Sequence, residues 1–173
     1  MSLQNKAKKI KAILLDIDGV LTDCRVGYHN DDEVKFFHVR DGHGIKLAIR
    51  AGIIVGAVSG RSAAANKRRA NELGFSFLYE SQKDKREAFA KLLEDFSLTP
   101  EECLYIGDDV IDIPVMRKVG IAVTVADAPE YIEKYCDFRT KVKGGYGAVR
   151  EVIDWLLMEQ GKWNDLMVRY LED

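Results

Sequence analysis

The sequence predicts an α/β fold, a doubly wound parallel sheet with helices on both faces. Short apolar runs, Ile10 to Leu15, Ile53 to Val58 and Cys103 to Ile106, alternate with stretches of helical period, the pattern of successive strand and helix units. Apart from Lys11 near the start of the first, the runs are continuously apolar, as strands covered on both faces require. Each ends in glycine and polar residues, DIDG, SGR and GDD, and open α/β sheets build their ligand sites at the carboxyl ends of their strands. Right-handed crossovers follow from that arrangement.

A chain of 173 residues with 47 % hydrophobic content supports one substantial core, so residues 1–173 are expected to form a single domain. The formal net charge of -2 exerts no general pull toward nucleic acid. No segment reaches the apolar length of a membrane span, and the first residues lack the apolar region of a signal peptide. Lys6, Lys8, Lys9 and Lys11 read as a solvated helix or arm. Cys24, Cys103 and Cys136 form no CxxC pair and no evident disulfide set, which fits a reducing, cytoplasmic setting.

After the first strand, Arg25 to Tyr28 and Val34 to Val39 read as two short strands around Asn30-Asp31-Asp32, a projecting β-hairpin over about 25–39. Asp41-Gly42 is expected to cap a helix running to Ala51-Gly52. A second helix opens after Ser59-Gly60 and runs through Leu73-Gly74; a strand near Phe75 to Tyr79 and a helix from about Asp84 to Phe96 follow. Thr99-Pro100-Glu101-Glu102 is a helix-start or turn signal, and Ile113-Pro114 sits just inside a helix, where proline's missing donor does little harm. Gly120 to Val125 gives a further strand. A short helix after Ala128-Pro129, a segment around Cys136 to Thr140 and a long helix through Leu157 complete the core. Gly161 is expected to break that helix, and the tail, about 162–173, is apolar enough to dock on its own domain or on a partner subunit.

Four strand or helix ends carry groups suited to one phosphate site: Asp16 and Asp18, Ser59, Lys85, and Asp108 with Asp109 and Asp112. Asp16 and Asp18, two apart at a strand end, face the same way, and like charges so close call for a hard cation such as Mg2+. A carboxylate nucleophile also needs the phosphate charge offset, which a lysine, a hydroxyl and backbone amides can do together. Glycines 144, 145 and 147 lack the spacing of a dinucleotide loop, and His29, His38 and His43 lack metal-ligand spacing. Cys24 has no paired base in sequence and reads as a packed thiol.

The motifs DIDG, VSGR, Lys85 and GDDVID stand in the order of the haloacid dehalogenase superfamily of phosphotransferases, which the chain resembles over nearly its whole length. DIDGVLTD, VRDGHGIK, YIGDDVID and GGYGAVRE look more closely like the small, capless phosphatases acting on 3-deoxy-D-manno-octulosonate 8-phosphate in lipopolysaccharide precursor synthesis. The resemblance implies that Asp16 is the nucleophile and Asp18 the acid/base. It implies a Mg2+ site on Asp16, the Asp18 backbone carbonyl and Asp108, with Asp109 and Asp112 supporting it. Ser59 and the Gly60 amide would bind phosphoryl oxygens. Lys85 would neutralise transferred charge, with Lys83 as its nearest rival in register.

A sugar-acid carboxylate argues for arginine, whose planar fork binds carboxylate bidentately, and Arg61 and Arg69 are the candidates. Arg68 reads as part of a solvated helix face. Asp41 either touches substrate or caps its helix. Arg150 and the tail are further candidates for shaping the entrance. The chain leaves no room for a cap domain, so the resemblance implies that hairpins join subunits into a homotetramer and cover a neighbour's site. Two other readings stand beside this one: a nine-carbon ulosonic or sialic acid 9-phosphate as substrate, against which Arg61 argues, and a noncatalytic oligomerisation module, against which the retained Asp16, Asp18, Lys85 and Asp108 argue.

Overall fold

A computed structural model of the chain describes residues 2–30 and 32–171. Asp31 of the expected hairpin turn, and Glu172 and Asp173 of the tail, lie outside the described residues. Six parallel strands form one sheet: β1 (Ala12–Leu15), β4 (Ile54–Val58), β5 (Phe77–Tyr79), β6 (Cys103–Gly107), β7 (Ile121–Thr124) and β8 (Phe138–Arg139), in the order β5-β4-β1-β6-β7-β8. β1 pairs with β4 on one side and β6 on the other, so the strand order reverses there and opens a crevice at its carboxyl end.

Alternation along each central strand feeds two cores. Ile13 and Leu15, with Leu104, Ile106 and Val123, meet α2 (Val39–Arg50) and α6 (Ala148–Glu159) on one face. Ala12, Leu14, Tyr105 and Ala122 meet α4 (Lys85–Asp95) and α5 (Ile113–Met116) on the other. Among the described residues the remaining α-helices are α1 (Leu3–Ala7), α3 (Ala64–Leu73) and α7 (Trp163–Leu171). Doubly wound architecture is therefore what the chain adopts.

Several boundaries differ from the sequence reading, each for a local reason. The hairpin is shorter, β2 (Gly27–His29) with β3 (Asp32–Val34), and every residue of β2 is exposed, so no core face prolongs the pairing. Lys35 to His38 leave the hairpin, and α2 begins at Val39 rather than after Asp41-Gly42. α3 starts only at Ala64, because the preceding backbone turns to bond elsewhere: the Gln82 amide donates to the Ser59 carbonyl at 3.0 Å and the Ala63 amide to Glu80 Oε1 at 3.0 Å. The short helix after Pro129 is a single 3-10 stretch, Glu130–Tyr135, and the segment beyond Cys136 adds the edge strand β8, too short to read as a strand in sequence. Gly161, at φ +69°, ends α6 as expected. The tail folds as α7 and packs Trp163, Leu166 and Met167 on its own domain.

Candidate active site

The carboxyl ends of β1, β4 and β6 and the first residue of α4 converge on one cluster. Asp16 follows β1 directly, and its Oδ1 accepts from the Ile17 amide at 2.7 Å and pairs with Lys85 Nζ at 2.9 Å. Lys85, fully buried at the N-terminus of α4, also donates to Asp112 Oδ1 at 2.6 Å and to the Tyr105 hydroxyl at 3.1 Å. Asp84 caps α4 by accepting from the Arg86 amide, which fixes where the helix starts and so where Lys85 points. Lys83 is exposed, so its register fails where that of Lys85 succeeds.

Asp112 spends its carboxylate on the scaffold. Oδ1 also accepts the Tyr105 hydroxyl at 2.6 Å, while Oδ2 accepts the amides of Asp108 and Asp109 at 2.9 and 3.1 Å. The loop after β6 is thereby tied to the lysine. Tyr105 is a site residue that sequence reasoning missed.

Charge in this cluster does not balance. Oxygens of Asp16, Asp108 and Asp112 lie within 4.8 Å of one another, with one ammonium among them. Burial first, then the Asp112 charge, lifts the Asp16 carboxyl from 3.8 to about 7 against the opposing pull of Lys85. Burial, with Asp16 and Asp112, lifts Asp108 to about 8. Burial opposes the charge on Lys85 too, but Asp16 and Asp112 outweigh it and hold the ammonium above the usual lysine range. A buried excess of carboxylate is relieved by a cation. Asp108 Oδ1 is buried and has no hydrogen-bond partner among the described residues, which is the coordination a hard ion would take up. Mg2+ therefore fits Asp16 and Asp108, while the engaged oxygens of Asp112 leave it a supporting part. The Asp109 side chain is outside the cluster: its Oδ1 accepts from the Val110 amide at 2.7 Å and from Tyr131 at 3.4 Å.

Gly19, at φ +96°, carries the chain past Asp108 so closely that a Cβ there would stand 2.1 Å from Asp108 Oδ2. Asp18, on the same loop, is half-buried, and Lys35 Nζ donates to its two oxygens at 2.6 and 2.9 Å. Lys35 comes from the segment after β3, and Glu33 of β3 pairs with Arg61. The hairpin thus reaches its own site. Neither residue was legible beforehand, because both lay in a stretch read as regular hairpin strand and turn.

Ser59 is buried at the end of β4, its Oγ accepting the Arg61 amide at 3.2 Å, and Gly60 is exposed beside it. Arg69 is not brought to the cluster: its guanidinium lies over the Phe37 ring, 5.6 Å from the centroid, and donates to the His38 carbonyl at 3.5 Å. Asp41 caps a helix, but not its own. Its carboxylate accepts the Gly147 and Arg150 amides at 3.2 and 2.7 Å, closing the N-terminus of α6, and with 1 % of the residue exposed it has no free face for substrate. His43 bonds Tyr170 of α7 at 3.0 Å, a structural contact. A surface cavity of about 780 Å³ between Lys8, Lys11, Thr99 and Gln160 opens at the amino ends of the strands, away from this chemistry.

A family model of haloacid dehalogenase-like hydrolases matches residues 42–120. The 3-deoxy-D-manno-octulosonate 8-phosphate phosphatase of Escherichia coli (strain K12) is 45 % identical over 161 residues, spanning 92 % of this chain and 86 % of that protein. The chain belongs to this phosphatase family of haloacid dehalogenase-like hydrolases. Solved members of the family share its fold. The Yersinia pestis phosphatase superposes with a TM-score of 0.91 at 42 % identity, covering 94 % of this chain and 88 % of that one. The Moraxella catarrhalis phosphatase, solved in complex with magnesium, phosphate and KDO, superposes at 0.93 with 36 % identity over 96 % of this chain and 97 % of that one. Membership makes the enzyme a phosphoric monoester hydrolase and agrees with Mg2+ as the cation that the Asp16 and Asp108 geometry asks for.

Proposed function

We propose that this chain hydrolyses 3-deoxy-D-manno-octulosonate 8-phosphate to the free sugar acid and inorganic phosphate. The observation that carries the reaction is Lys85 buried between Asp16 and Asp112 beside the unpartnered Asp108 Oδ1, an arrangement with no use in a scaffold. The choice of ester rests on the relatives that act on it.

In this reading Asp16 attacks phosphorus through its free oxygen while Asp18 gives a proton to the departing sugar oxygen. Asp18 then takes a proton from the water that cleaves the aspartyl-phosphate, so Asp16 returns as the carboxylate and Asp18 as the acid. Lys85 holds Asp16 in place and offsets the charge that arrives with the phosphoryl group. The Ser59 hydroxyl and the Gly60 amide hold phosphoryl oxygens, and Arg61 receives the sugar carboxylate. Mg2+, held by Asp16, Asp108 and the Asp18 carbonyl, supplies positive charge to the phosphoryl oxygens when bound.

We further propose that the enzyme works in the cytoplasm as a homotetramer joined through its hairpins. Three unpaired cysteines support the first, and no helix among the described residues is long and apolar enough to cross a membrane. Tyr28, Phe36 and Val39, 73 %, 78 % and 80 % exposed around the hairpin, support the second as apolar surface that a neighbour would cover. A Mg2+-dependent assay of phosphate release from the eight-carbon and a nine-carbon sugar acid phosphate tests the function. Faster release from the nine-carbon ester would overturn the substrate assignment. Light scattering paired with the assay tests assembly, and a fully active monomer would sink the tetramer.

A further inference from the structure

Glu33 and Lys35 are two residues apart, point the same way and carry opposite charges into the site. Glu33 sits on the Arg61 guanidinium, and Lys35, with no side-chain exposure, occupies both Asp18 oxygens. Glu33 Oε2 is buried, has no hydrogen-bond partner among the described residues, and lies 3.6 Å from Lys35 Nζ. Glu33 thus stands between two cations, close on Arg61 and more distant from Lys35, whose ammonium lies nearer to Asp18.

We propose that Glu33 is a specificity-determining residue, holding Arg61 until a substrate carboxylate replaces it. This rests on the reading above, in which Arg61 receives the sugar carboxylate. Glu33 engages Nη2 of the Arg61 guanidinium, so a substrate carboxylate that takes that edge bidentately has to displace it. A phosphate ester that also carries a carboxylate exchanges one ion pair for another, so displacing Glu33 costs it little. A sugar phosphate without a carboxylate has nothing to offer Arg61 and leaves Glu33 in place. The displaced Glu33 is free to shorten its 3.6 Å ion pair with Lys35, and that draws the ammonium off Asp18 as the substrate arrives. The hairpin contact therefore couples recognition of the carboxylate to release of the acid/base.

Steady-state kinetics of the Mg2+-loaded enzyme, its Glu33→Gln and Arg61→Met variants and the double variant test this with two substrates, the eight-carbon sugar acid phosphate and ribose 5-phosphate. Circular dichroism confirms folding, and Glu33→Ala repeats the comparison without the amide. Glu33→Gln is expected to lower KM for the sugar acid phosphate about threefold, the worth of one partly exposed ion pair. It should leave KM for ribose 5-phosphate in place and have no effect when Arg61 is already Met. A rise in KM for the sugar acid phosphate, an equal fall for both substrates, or a fall that persists without Arg61 would each overturn the proposal. If the unaltered enzyme released no phosphate from the sugar acid ester, the parent reading would fall first, an outcome visible before any variant is compared.

Discussion

Lys85 and Asp112 stand 2.6 Å apart with neither side chain exposed, and Asp112 also accepts the Tyr105 hydroxyl and the amides of Asp108 and Asp109. It is the post on which the nucleophile's lysine and the β6 loop are both mounted. Removing it strands the Tyr105 hydroxyl and two amides and leaves Lys85 compensated by Asp16 alone. Asp112→Ala is therefore expected to lower stability by ~3–5 kcal/mol, as breaking a buried pair does. Urea unfolding reads this directly, and a loss below ~1 kcal/mol would contradict the assignment of Asp112 as a structural anchor.

Asp16→Asn should separate activity from stability. The isosteric amide cannot form an aspartyl-phosphate, so phosphate release is expected to fall by at least about a thousandfold. The same change removes a buried carboxylate whose burial already lifts it to about 7. In EDTA near pH 8, the variant should melt at or above the temperature of the unaltered chain. Retained turnover would remove Asp16 as nucleophile, and a much lower melting temperature would contradict the charge imbalance.

Metal removal should give the enzyme a distinctive pH dependence. Asp16 at about 7 and Asp108 at about 8 keep their protons in the folded chain after the unfolded chain, near 3.8, has lost them. The folded state then binds more protons, so stability is fully present below the unfolded value and is lost as pH rises through the folded ones. Metal-free melting temperature should fall steadily from about pH 4 to about pH 8, and added Mg2+ should raise it far more at the upper end. A flat or rising metal-free profile across that window would refute the cluster's electrostatics.

Much of the site was legible because its residues sit where apolar runs stop. Asp16, Ser59 and Asp108 each end a buried strand, and Lys85 opens a helix behind an evident cap, Asp84, so local pattern and fold class together placed them. Tyr105 was hidden because a strand buried on both faces reads as apolar throughout, and a tyrosine there looks like core. Glu33 and Lys35 were hidden for a different reason: the hairpin was expected to serve a neighbour, and the sequence does not say how a short exposed ribbon folds back. Arg69 matched a motif, yet its helix turns it onto Phe37. A motif fixes order along the chain, whereas the rotation of α3 fixes direction.

Asp41 illustrates the same limit in a form that can be tested. Its capping role was readable but its partner was not, since the amides it accepts, of Gly147 and Arg150, lie more than a hundred positions away at the start of α6. Asp41→Ala should cost ~1–2 kcal/mol of stability as the loss of a helix cap, with KM for the substrate nearly unchanged. Kinetics at a temperature well below the melt decide it. A severalfold rise in KM with stability intact would restore Asp41 to the substrate's surroundings.

The last expectation concerns Gly144, which buttresses the loop bearing Asp18. A Cβ on Gly144 would stand 1.7 Å from the Gly19 carbonyl oxygen, and backbone cannot swing aside as a flexible side chain can. The neighbouring Gly145 amide donates to the Val20 carbonyl at 2.9 Å, so the two loops are already fastened together and the displacement falls on the DIDG turn. A shift of about 1 Å in catalytic groups costs on the order of a hundredfold in rate, and Gly144→Ala should show such a loss in kcat. Gly161→Ala is the control. It too replaces a glycine, at φ +69°, but its Cβ meets nothing within 4 Å and the site is elsewhere. It should cost about 1 kcal/mol of stability and leave kcat unchanged. Equal effects of the two substitutions on kcat would mean that the contact between Gly144 and Gly19 does not position Asp18.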